Sequence, residues 1–533
     1  MFKCKQLLRR ICVVSYVFLL CGGLVNASNL VSKTNTLIGT QGNGWASGYL
    51  YPGATYPFGM VQFTPTYFTK QLGFVINQLS GAGCDHMGNF PTLPIAGALR
   101  VSPDSILNMQ TPVGKEIGTA GYYAATVDHS IRAELTVTER TGMARYTFSS
   151  KEKQGTVIIG GGVAATSIQV AAIKITGPHS CEGYAEGGAF CGIPTPYKVY
   201  FVAEFDADAE SFGTWKEERL HANHTFAEGS HSGVYFTFPL KEGNQAVQYK
   251  IGVSYVSVEN ARENLRVENP AWDFSAVRQA TQDKWNEYLG KIEVEGDNED
   301  RQMQFYTHLY RSLIHPNVCS DVNGEYMGAD SQVHKTARKF YTSFSNWDTY
   351  RTQTALIAML APEETSDIVM SHYLFAEQSG GGFPRWVLAN IETGVMQGDP
   401  TPILVANAYA FGARNYDPRT LLRTMRYGAE VPGANSQGVL TRPGLEQYLE
   451  KGYYDASILL EYTSSDFAIG RFALQACNDE PVCNWYTQRA MNWKNLFNKE
   501  TGWLQSRNED GSWKRYDADW RESTYKNYFW MVP

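Results

Sequence analysis

The carboxylate of Glu522 stands in an unusually aromatic stretch, WRESTYKNYFWMVP, at residues 520–533. A carboxyl group that aromatic walls keep partly dry has a raised pKa and can donate a proton near neutral pH, as a general acid does. On a helix, however, Lys526 would lie four residues after Glu522, and such a pair on an exposed face contributes only ~0.2–0.5 kcal/mol. The local sequence alone therefore favours a surface ion pair over a catalytic acid.

A second acid lies in the stretch FSNWDTYRT at residues 344–352, where Asp348 follows Trp347 and precedes Arg351. The pattern indicates that a helix begins here, so Asp348 has two interpretations. As a capping acid it would satisfy free backbone N–H groups at the helix start. As a binding residue it would accept hydrogen bonds from a ligand. For this motif by itself, the capping interpretation is the stronger one.

A third group of chemically active side chains lies in GGFPRWVLANIETGVMQGDP at residues 381–400. The glycines at 380–382 and Pro384 exclude a helix at its start. Four polar or aromatic side chains fall within the stretch, namely Arg385, Trp386, Glu392 and Asp399. A long loop that is this rich in Trp, Arg and acids is more often a functional site than a simple connection.

Together with other segments, these stretches resemble glycoside hydrolase family 92, the calcium-dependent, inverting exo-α-mannosidases. The matching segments, in the family's order, are YPGATYPFGMVQFTP, LSGAGC, HPNVCSDVNGEYMG, FSNWDTYR, PRWVLANIETGVMQGDP and NWKNLFNKETG. The resemblance extends from about Leu37 to Pro533, and six ordered motifs make it far more specific than any single one. It implies an α+β multidomain fold in which an N-terminal antiparallel β-sandwich precedes an (α/α)6 toroid.

The resemblance also implies roles for individual residues. The family's general acid lies in a Glu-Gly-x-Ala-x-x-Tyr-x-Trp-x-Val-Pro motif, which matches ESTYKNYFWMVP and gives that role to Glu522. By the same matching, Asp348 and Trp386 would bind the terminal mannose, and Arg385 and Glu392 would line the pocket. The implied cofactor is calcium, and the implied partner is a mannose-containing glycan.

The end of the sequence departs from the family pattern. The family's catalytic base and calcium ligands lie in Gly-Asn-Glu and Gly-Asn-x-Asp-x-Gly-Gln-Met-Ser motifs after the Val-Pro stretch, whereas the sequence here ends at Pro533. We therefore expect an incomplete toroid without metal ligands of its own, explained by a frameshift, a gene boundary or a second polypeptide. For a chain that ends at Pro533, we expect poor solubility and no release of mannose.

Hydrophobic periodicity predicts the elements that must position these residues. Short alternating runs such as AELTVTERTGMARYTF and KVYFVAEF predict the antiparallel strands of a β-sandwich over residues 28–275. The period becomes helical near ENPAWDFSAVRQ, which predicts a linker helix at 276–300. About eight helical segments then follow within 301–533, the predicted partial catalytic domain.

The N-terminal sequence and the cysteines indicate the compartment. Residues 1–27 combine basic residues, the apolar run ICVVSYVFLLCGGLV and a small-residue end, which predicts a signal peptide and a secreted, periplasmic or extracellular protein. No later run reaches the ~18 apolar residues of a membrane span.

Six of nine cysteines follow the signal, an even number that permits disulfides. Cys181–Cys191 and Cys477–Cys483 are the candidate short loops, although spacing establishes neither pair.

Composition argues against several other classes of function. A net charge of −7 without any long Lys/Arg block disfavours nucleic acid as a partner. The histidines form no zinc-hydrolase motif, and Gly-x-Ser-x-Gly is absent, which disfavours a serine hydrolase. Aromatic residues reach 13%, and such rings suit amphipathic ligands such as sugars. Through the family resemblance, the sequence predicts an α-mannosidase-type glycoside hydrolase, with a non-catalytic glycan-binding protein or inactive remnant as the alternative.

Overall fold

A computed structural model of the protein describes residues 29–40, 49–65, 73–104, 113–241 and 245–514. The predicted signal peptide and Glu522 lie outside these ranges.

Up to Ser254 the described chain consists mainly of strands, and we call this part the β-domain. A short 3-10 helix, Leu30–Lys33, precedes them. The strands of the β-domain are β1 Ala54–Thr55, β2 Gln62–Pro65, β3 Phe74–Val75, β4 Thr92–Ala96, β5 Val113–Thr119, β6 Tyr122–Val127, β7 Ile131–Val137, β8 Thr141–Thr147, β9 Gln154–Gly160, β10 Ile168–Gly177, β11 Ser180–Phe190, β12 Ile193–Phe205, β13 Ser211–Lys216, β14 Arg219–Ala222, β15 Phe226–Glu228, β16 Ser232–Pro239 and β17 Ala246–Ser254.

The strands of the β-domain form two antiparallel sheets that pack face to face. In the described residues one sheet has the order β1-β2-β3-β4-β9-β16-β13-β14, and the other has the order β15-β10-β11-β12-β17-β8-β7-β6-β5. Alternate residues of β11 are buried, as expected for a strand with one face on a core. Large aromatic side chains fill the space between the sheets, among them Phe63, Tyr146, Phe201, Trp215 and Tyr249. The predicted antiparallel β-sandwich is confirmed.

Two helices, rather than the single predicted linker helix, follow the sandwich. They are α1, Val258–Glu268, and α2, Phe274–Leu289. Ser257 begins α1 by accepting a hydrogen bond from the N–H of Asn260, at 3.0 Å. Pro270 stands just after α1 and separates the two helices, because a proline disfavours helical geometry at the residue before it.

After α2 the described chain is mostly helical, and we call residues 299–514 the helical region. Its α-helices are α3 Glu299–Ser312, α4 Asn346–Thr349, α5 Gln353–Leu360, α6 Pro362–Ser379, α7 Thr401–Ala410, α8 Pro418–Glu430, α9 Leu445–Lys451, α10 Ala456–Cys477 and α11 Glu480–Ala490, and a 3-10 helix spans Met491–Leu496. Helix α10 is central, since it packs against both α7 and α11. Across the described ranges, no helix combines the length and apolar character that a membrane crossing requires.

Short antiparallel sheets connect these helices. In the described residues their strands are β18 Asn317–Val318, β19 Glu325–Met327, β20 Val333–Lys335, β21 Tyr341–Thr342, β22 Phe344–Ser345, β23 Trp386–Leu388, β24 Ile391–Glu392, β25 Asn435–Ser436, β26 Val439–Leu440, β27 Phe497–Asn498 and β28 Trp503–Leu504. The three-stranded sheet β22-β23-β24 matters most for the site, because it places the FSNWDTYRT stretch beside the 381–400 loop.

Main-chain hydrogen bonds join the β-domain to the helical region. The N–H of Phe58 donates to the carbonyl of Leu313 at 2.9 Å, and the N–H of Val318 donates to the carbonyl of Phe58 at 2.8 Å. The Phe58 ring also packs edge-on against Tyr288 of α2 and Tyr341 of β21. The two parts therefore share a packed junction, at which loops from both can meet.

The cysteine pairing suggested by short spacing is wrong. Cys84 bonds to Cys191, while Cys181, Cys319, Cys477 and Cys483 are free and buried. Cys181 and Cys191 lie at opposite ends of β11 and its following turn, and a strand rises about 3.3 Å per residue, so ten residues hold them roughly 30 Å apart. The run CEGYAEGGAFC is an extended strand and not a closed loop.

Candidate functional site

Asp348 projects from a tight corner where β22 gives way to the short helix α4. Buried Asn346 anchors that corner, because its side-chain amide donates to the carbonyl of Pro384 at 3.1 Å and to Thr401 Oγ1 at 2.8 Å. The exposed Asp348 carboxylate accepts a hydrogen bond from the Ser345 hydroxyl. Ser345, the residue before α4, makes no side-chain capping bond, and Asp348 is the acid in the first turn of the helix, so the capping and binding interpretations both stay predictions.

Trp386 belongs to β23, which pairs with β22 so that Trp386 lies opposite Ser345. The pairing brings the FSNWDTYRT stretch and the 381–400 loop into one sheet. The Trp386 indole is only 4% exposed, and it stacks on the ring of Phe190 from the β-domain with centroids 4.2 Å apart and planes 25° apart. Trp386 and Asp348 are therefore held on neighbouring positions of one small framework.

Both side chains line a cavity of about 450 Å³ at the junction between the two parts of the protein, which we call the junction cavity. This volume falls in the range of small-molecule sites. One side, the β-domain wall, consists of Leu50, Leu79, Ser80, Gly81, Ala82, Gly83, Cys84, Phe190 and Cys191. The other side, the helical wall, consists of Arg311, His315, Pro316, Ser343, Ser345, Asp348, Thr349, Gln353, Trp386, Val395 and Met396.

The lining combines an apolar surface with a few polar groups. Asp348 is the one carboxylate among the described lining residues, and hydroxyls of serine and threonine and the amide of Gln353 accompany it. Such a mixture suits a ligand that carries several hydroxyl groups on an apolar ring, because the hydroxyls need hydrogen-bond partners and the ring faces need apolar contact.

Two histidines, buried His86 and half-buried His315, support the β-domain wall in their neutral form. Nε2 of His315 accepts the N–H of Ser80 at 3.0 Å, and Nε2 of His86 accepts the N–H of Leu79 at 2.8 Å. Burial lowers the pKa of each ring to about 4. A protonated Nε2 would lose its role as acceptor, so the geometry and the lowered pKa agree. The loop at 79–84 is thus fixed by neutral rings.

Arg385 and Glu392 lie behind the junction cavity rather than in its described lining. Arg385 donates from Nε to the carbonyl of Gly398 at 3.0 Å and from a terminal nitrogen to the carbonyl of Leu440 at 3.0 Å. The Glu392 carboxylate accepts the N–H groups of Arg385, Trp386 and Gly394, and burial raises its pKa. The two side chains shape the 381–400 loop, and their direct contact with a ligand stays a prediction.

The far end of the 381–400 loop is fixed by a buried ionic network. Arg442 donates from Nε to Asp399 at 2.8 Å and from a terminal nitrogen to Asp466 of α10 at 2.7 Å. Arg489 of α11 binds the same Asp466 carboxylate at 2.5 Å. All four side chains are less than 10% exposed. Charges that are buried this deeply are stable only when they are paired.

Sequence reasoning missed Glu461, which supports the segment that carries Asp348. Trp347 Nε1 and the Tyr350 hydroxyl donate to this carboxylate at 3.0 and 3.3 Å, and Arg351 lies 3.6 Å from it. Burial raises the pKa of Glu461. The available signal was an acid within the otherwise apolar helical run ASILLEY, since a charge at such a position is seldom buried without partners.

The predicted general acid and the predicted calcium ligands are not among the described lining residues. Glu522, the predicted general acid, lies outside the described residues. Within the described ranges, no three His, Cys, Asp or Glu side chains converge in a way that could hold a metal ion. The single lining carboxylate, Asp348, is far short of the six to eight oxygen ligands that calcium takes. The described part of the site therefore does not fit calcium.

Sequence comparison relates two long segments of the chain to one enzyme family. The sequence matches the Glycosyl hydrolase family 92 catalytic domain over residues 260–533 and the Glycosyl hydrolase family 92 N-terminal domain over residues 34–254. A curated relative, an uncharacterized secreted glycosidase from Arthroderma benhamiae, is 25% identical over an alignment 565 positions long, which covers 92% of this chain. The alignment covers 66% of that relative, so this chain spans just under two thirds of its length.

Solved structures show the same architecture. A family GH92 α-mannosidase from Bacteroides thetaiotaomicron superposes with a TM-score of 0.84 at 24% identity, over 92% of this chain and 69% of its own. A family GH92 inverting mannosidase from the same organism gives a TM-score of 0.82 at 25% identity, over 92% of this chain and 68% of its own. The first mannosidase has also been solved in complex with mannoimidazole. Nothing in these comparisons supports a second polypeptide.

Proposed function

Because the chain belongs to glycosyl hydrolase family 92, we propose that it is a secreted glycoside hydrolase that removes terminal α-linked mannose from glycans with inversion of configuration. The observation that carries this proposal is the junction cavity, which both Asp348 and Trp386 line, with Trp386 paired to Ser345, three residues before Asp348. A cavity of about 450 Å³ accommodates a terminal sugar together with part of the next residue.

Asp348 and Trp386 have complementary parts in this proposal. The Asp348 carboxylate accepts hydrogen bonds from two hydroxyls of the terminal mannose, a geometry that a fixed, exposed acid at a tight corner can provide. Trp386 offers the edge of a rigid ring to the apolar side of the sugar. Both residues bind and orient the substrate, while bond cleavage requires other groups.

Inverting hydrolysis requires an acid that protonates the leaving oxygen and a base that activates water, with carboxyl groups ~6.5–9.5 Å apart. We assign the acid to Glu522, whose aromatic surroundings in the sequence favour a raised pKa. We assign the base to no residue, because Asp348 is the one acid in the described lining and it serves in binding. Calcium remains part of the proposal through the family alone, and no step here depends on it.

The alternative, a glycan-binding protein without hydrolytic activity, has one observation in its favour. The described lining of the junction cavity contains a single carboxylate, whereas hydrolysis requires two. Binding and hydrolysis therefore have to be measured separately. Binding of mannose-like ligands without any turnover would support this alternative.

The test of the proposal is calorimetric titration of the protein with mannoimidazole and with glucoimidazole, its epimer at the carbon that corresponds to C2. We expect mannoimidazole to bind and the epimer to bind at least ~10-fold more weakly, since ~1.4 kcal/mol of lost hydrogen bonding corresponds to that factor. Release of mannose from yeast mannan, with and without added calcium, is measured in parallel. Equal binding of both inhibitors, or none of either, would contradict a mannose site.

A further inference from the structure

The β-domain wall of the junction cavity contains a disulfide. Cys84 and Cys191 both line the cavity, and their bond links the 79–84 loop to the turn after β11, 107 residues apart in sequence. Cys191 itself has a left-handed backbone with φ of +51°. A covalent link at this point restricts a turn whose conformation is unfavourable for most residues.

The residue next to this disulfide makes the main ring contact between the two walls. Phe190, directly before Cys191, stacks on Trp386 with centroids 4.2 Å apart, and its edge also meets the ring of His86 at 6.2 Å. Phe190 and Trp386 are 3% and 4% exposed. Because Phe190 covers one face of the indole, a ligand in the cavity can meet only the remaining surface of that ring.

These contacts connect the disulfide to the cavity in three steps. The disulfide fixes the turn, the turn fixes Phe190, and Phe190 limits the planes that the Trp386 ring can adopt. Offset-stacked rings at 4.2 Å and 25° have a preferred mutual orientation, so fixing one ring restrains the other. The strand pairing of β23 fixes the backbone of Trp386 but leaves its side-chain torsions free.

We propose that Phe190, held by the Cys84–Cys191 disulfide, is a positioning residue that sets the plane of Trp386 in the junction cavity and thereby the affinity for a mannose ring. The proposal rests on the proposed function, since it names a support for the same sugar site. It differs from ordinary core packing in its consequences. Packing alone affects thermal stability, whereas positioning affects the orientation of Trp386 and the affinity for a sugar.

The variant that tests the proposal is Phe190→Leu, which keeps an apolar side chain but removes the stacked ring. We expect the Kd for mannoimidazole to rise about 5–10-fold, in keeping with the strength of one aromatic pair. Phe190→Tyr keeps the ring and should restore the affinity.

The matched control is Phe238→Leu. Phe238 is equally buried in the same sandwich, where it packs against Phe205 and Phe236, and it lies outside the lining of the cavity.

The control separates positioning from stability. Phe238→Leu should lower the melting temperature and leave the Kd within about twofold of the parent value, as expected for a distant site. An unchanged Kd in Phe190→Leu, or an equal rise in both variants, would overturn the proposal. Where Phe190→Leu does not fold, the double variant Cys84→Ser/Cys191→Ser takes its place. It should weaken binding in the same direction, and unchanged binding would again overturn the proposal.

A measurement without ligand tests the positioning of Trp386 separately from the binding of mannose. The near-ultraviolet circular dichroism that is lost in Trp386→Phe is the signal of the Trp386 ring in a fixed environment. That signal should also be lost in Phe190→Leu and retained in Phe190→Tyr and Phe238→Leu. If the parent protein binds no mannoimidazole, the mannose site is contradicted while this signal still decides whether Phe190 positions Trp386. Retention of the signal in Phe190→Leu would show that it does not.

Discussion

The two walls of the junction cavity are stabilised by different means. The β-domain wall is a set of main-chain loops fixed by the Cys84–Cys191 disulfide and by two neutral histidines, His86 and His315. The helical wall places Trp386 on a small sheet and Asp348 in the short helix that follows one of its strands, and buried charged side chains hold the loop behind it. One wall depends on covalent and neutral contacts and the other on paired charges, so different perturbations should damage each.

The largest effect we expect comes from Glu522, which belongs to neither described wall. In a form of the protein that hydrolyses mannosides, Glu522→Gln should lower turnover of substrates with poor leaving groups by ~10²–10⁴, the usual range for a general acid. Mannoimidazole affinity should change little, because both walls are intact. Aryl mannosides with activated leaving groups need less protonation and should lose much less activity.

Initial rates on mannan and on an activated aryl mannoside, measured side by side, check this expectation. Equal losses on both substrates would indicate folding damage instead of a missing proton donor. The assignment of proton donation to Glu522, and of binding alone to the two walls, would then lack support.

The next largest effect concerns the charges behind the helical wall. Arg442→Met leaves Asp399 buried without its cation and should destabilise the protein by ~3–5 kcal/mol, since a buried charge loses its partner. Urea unfolding measures this loss. The control is Arg426→Met, which breaks the exposed ion pair with Glu430 and should cost only ~0.2–1 kcal/mol. Similar losses in the two variants would argue against charge pairing as the basis of the helical wall.

A somewhat smaller effect concerns the histidines of the β-domain wall, which add a pH response to that of buried His372 in α6, whose pKa burial also lowers to about 4. Burial lowers the pKa of His86 and His315 from 6.5 to about 4. Above pH 6.5 both rings are neutral in the folded and unfolded chains. Between pH 6.5 and 4 only the unfolded chain takes up these protons, so stability falls as the pH falls, by up to roughly 3 kcal/mol per ring.

Urea unfolding between pH 7 and 4.5 tests this response. His315→Gln should reduce the slope of stability against pH within that window. The parent protein, measured over the same pH range, is the reference for that slope. If His315→Gln keeps the full slope, neutral histidines do not stabilise the β-domain wall in the way we describe.

The two walls also differ in how far the sequence predicted them. The helical wall was predicted in part, because Asp348 and Trp386 each lie in a short motif, and the pairing of β22 with β23 brings those motifs together. The strands of the sandwich were predicted by alternation, as in KVYFVAEF, which lies within β12. These features depend on local patterns that a single stretch of sequence contains.

The β-domain wall could not be predicted, because its contacts join residues that are far apart in the chain. Cys84 and Cys191 are separated by 107 residues, and Ser80 meets His315 over 235 residues. The segment between Cys181 and Cys191 was a candidate disulfide loop, yet it is strand β11, which continues through a bulge after Gly187 to Phe190. Contacts between residues so far apart in sequence depend on how the whole sandwich folds. The spacing of residues within one short stretch does not predict them.

The central claim, that the junction cavity binds mannose through Asp348, is tested most directly by one pair of measurements on Asp348→Ala, namely calorimetric titration with mannoimidazole and thermal unfolding. The comparison variant is Asp417→Ala, because Asp417 caps α8 through the N–H groups of Arg419 and Thr420. We predict that Asp348→Ala loses ~1.5–3 kcal/mol of affinity with an unchanged melting temperature. Asp417→Ala should melt lower and bind normally. An Asp348→Ala variant that behaves like Asp417→Ala would contradict the account.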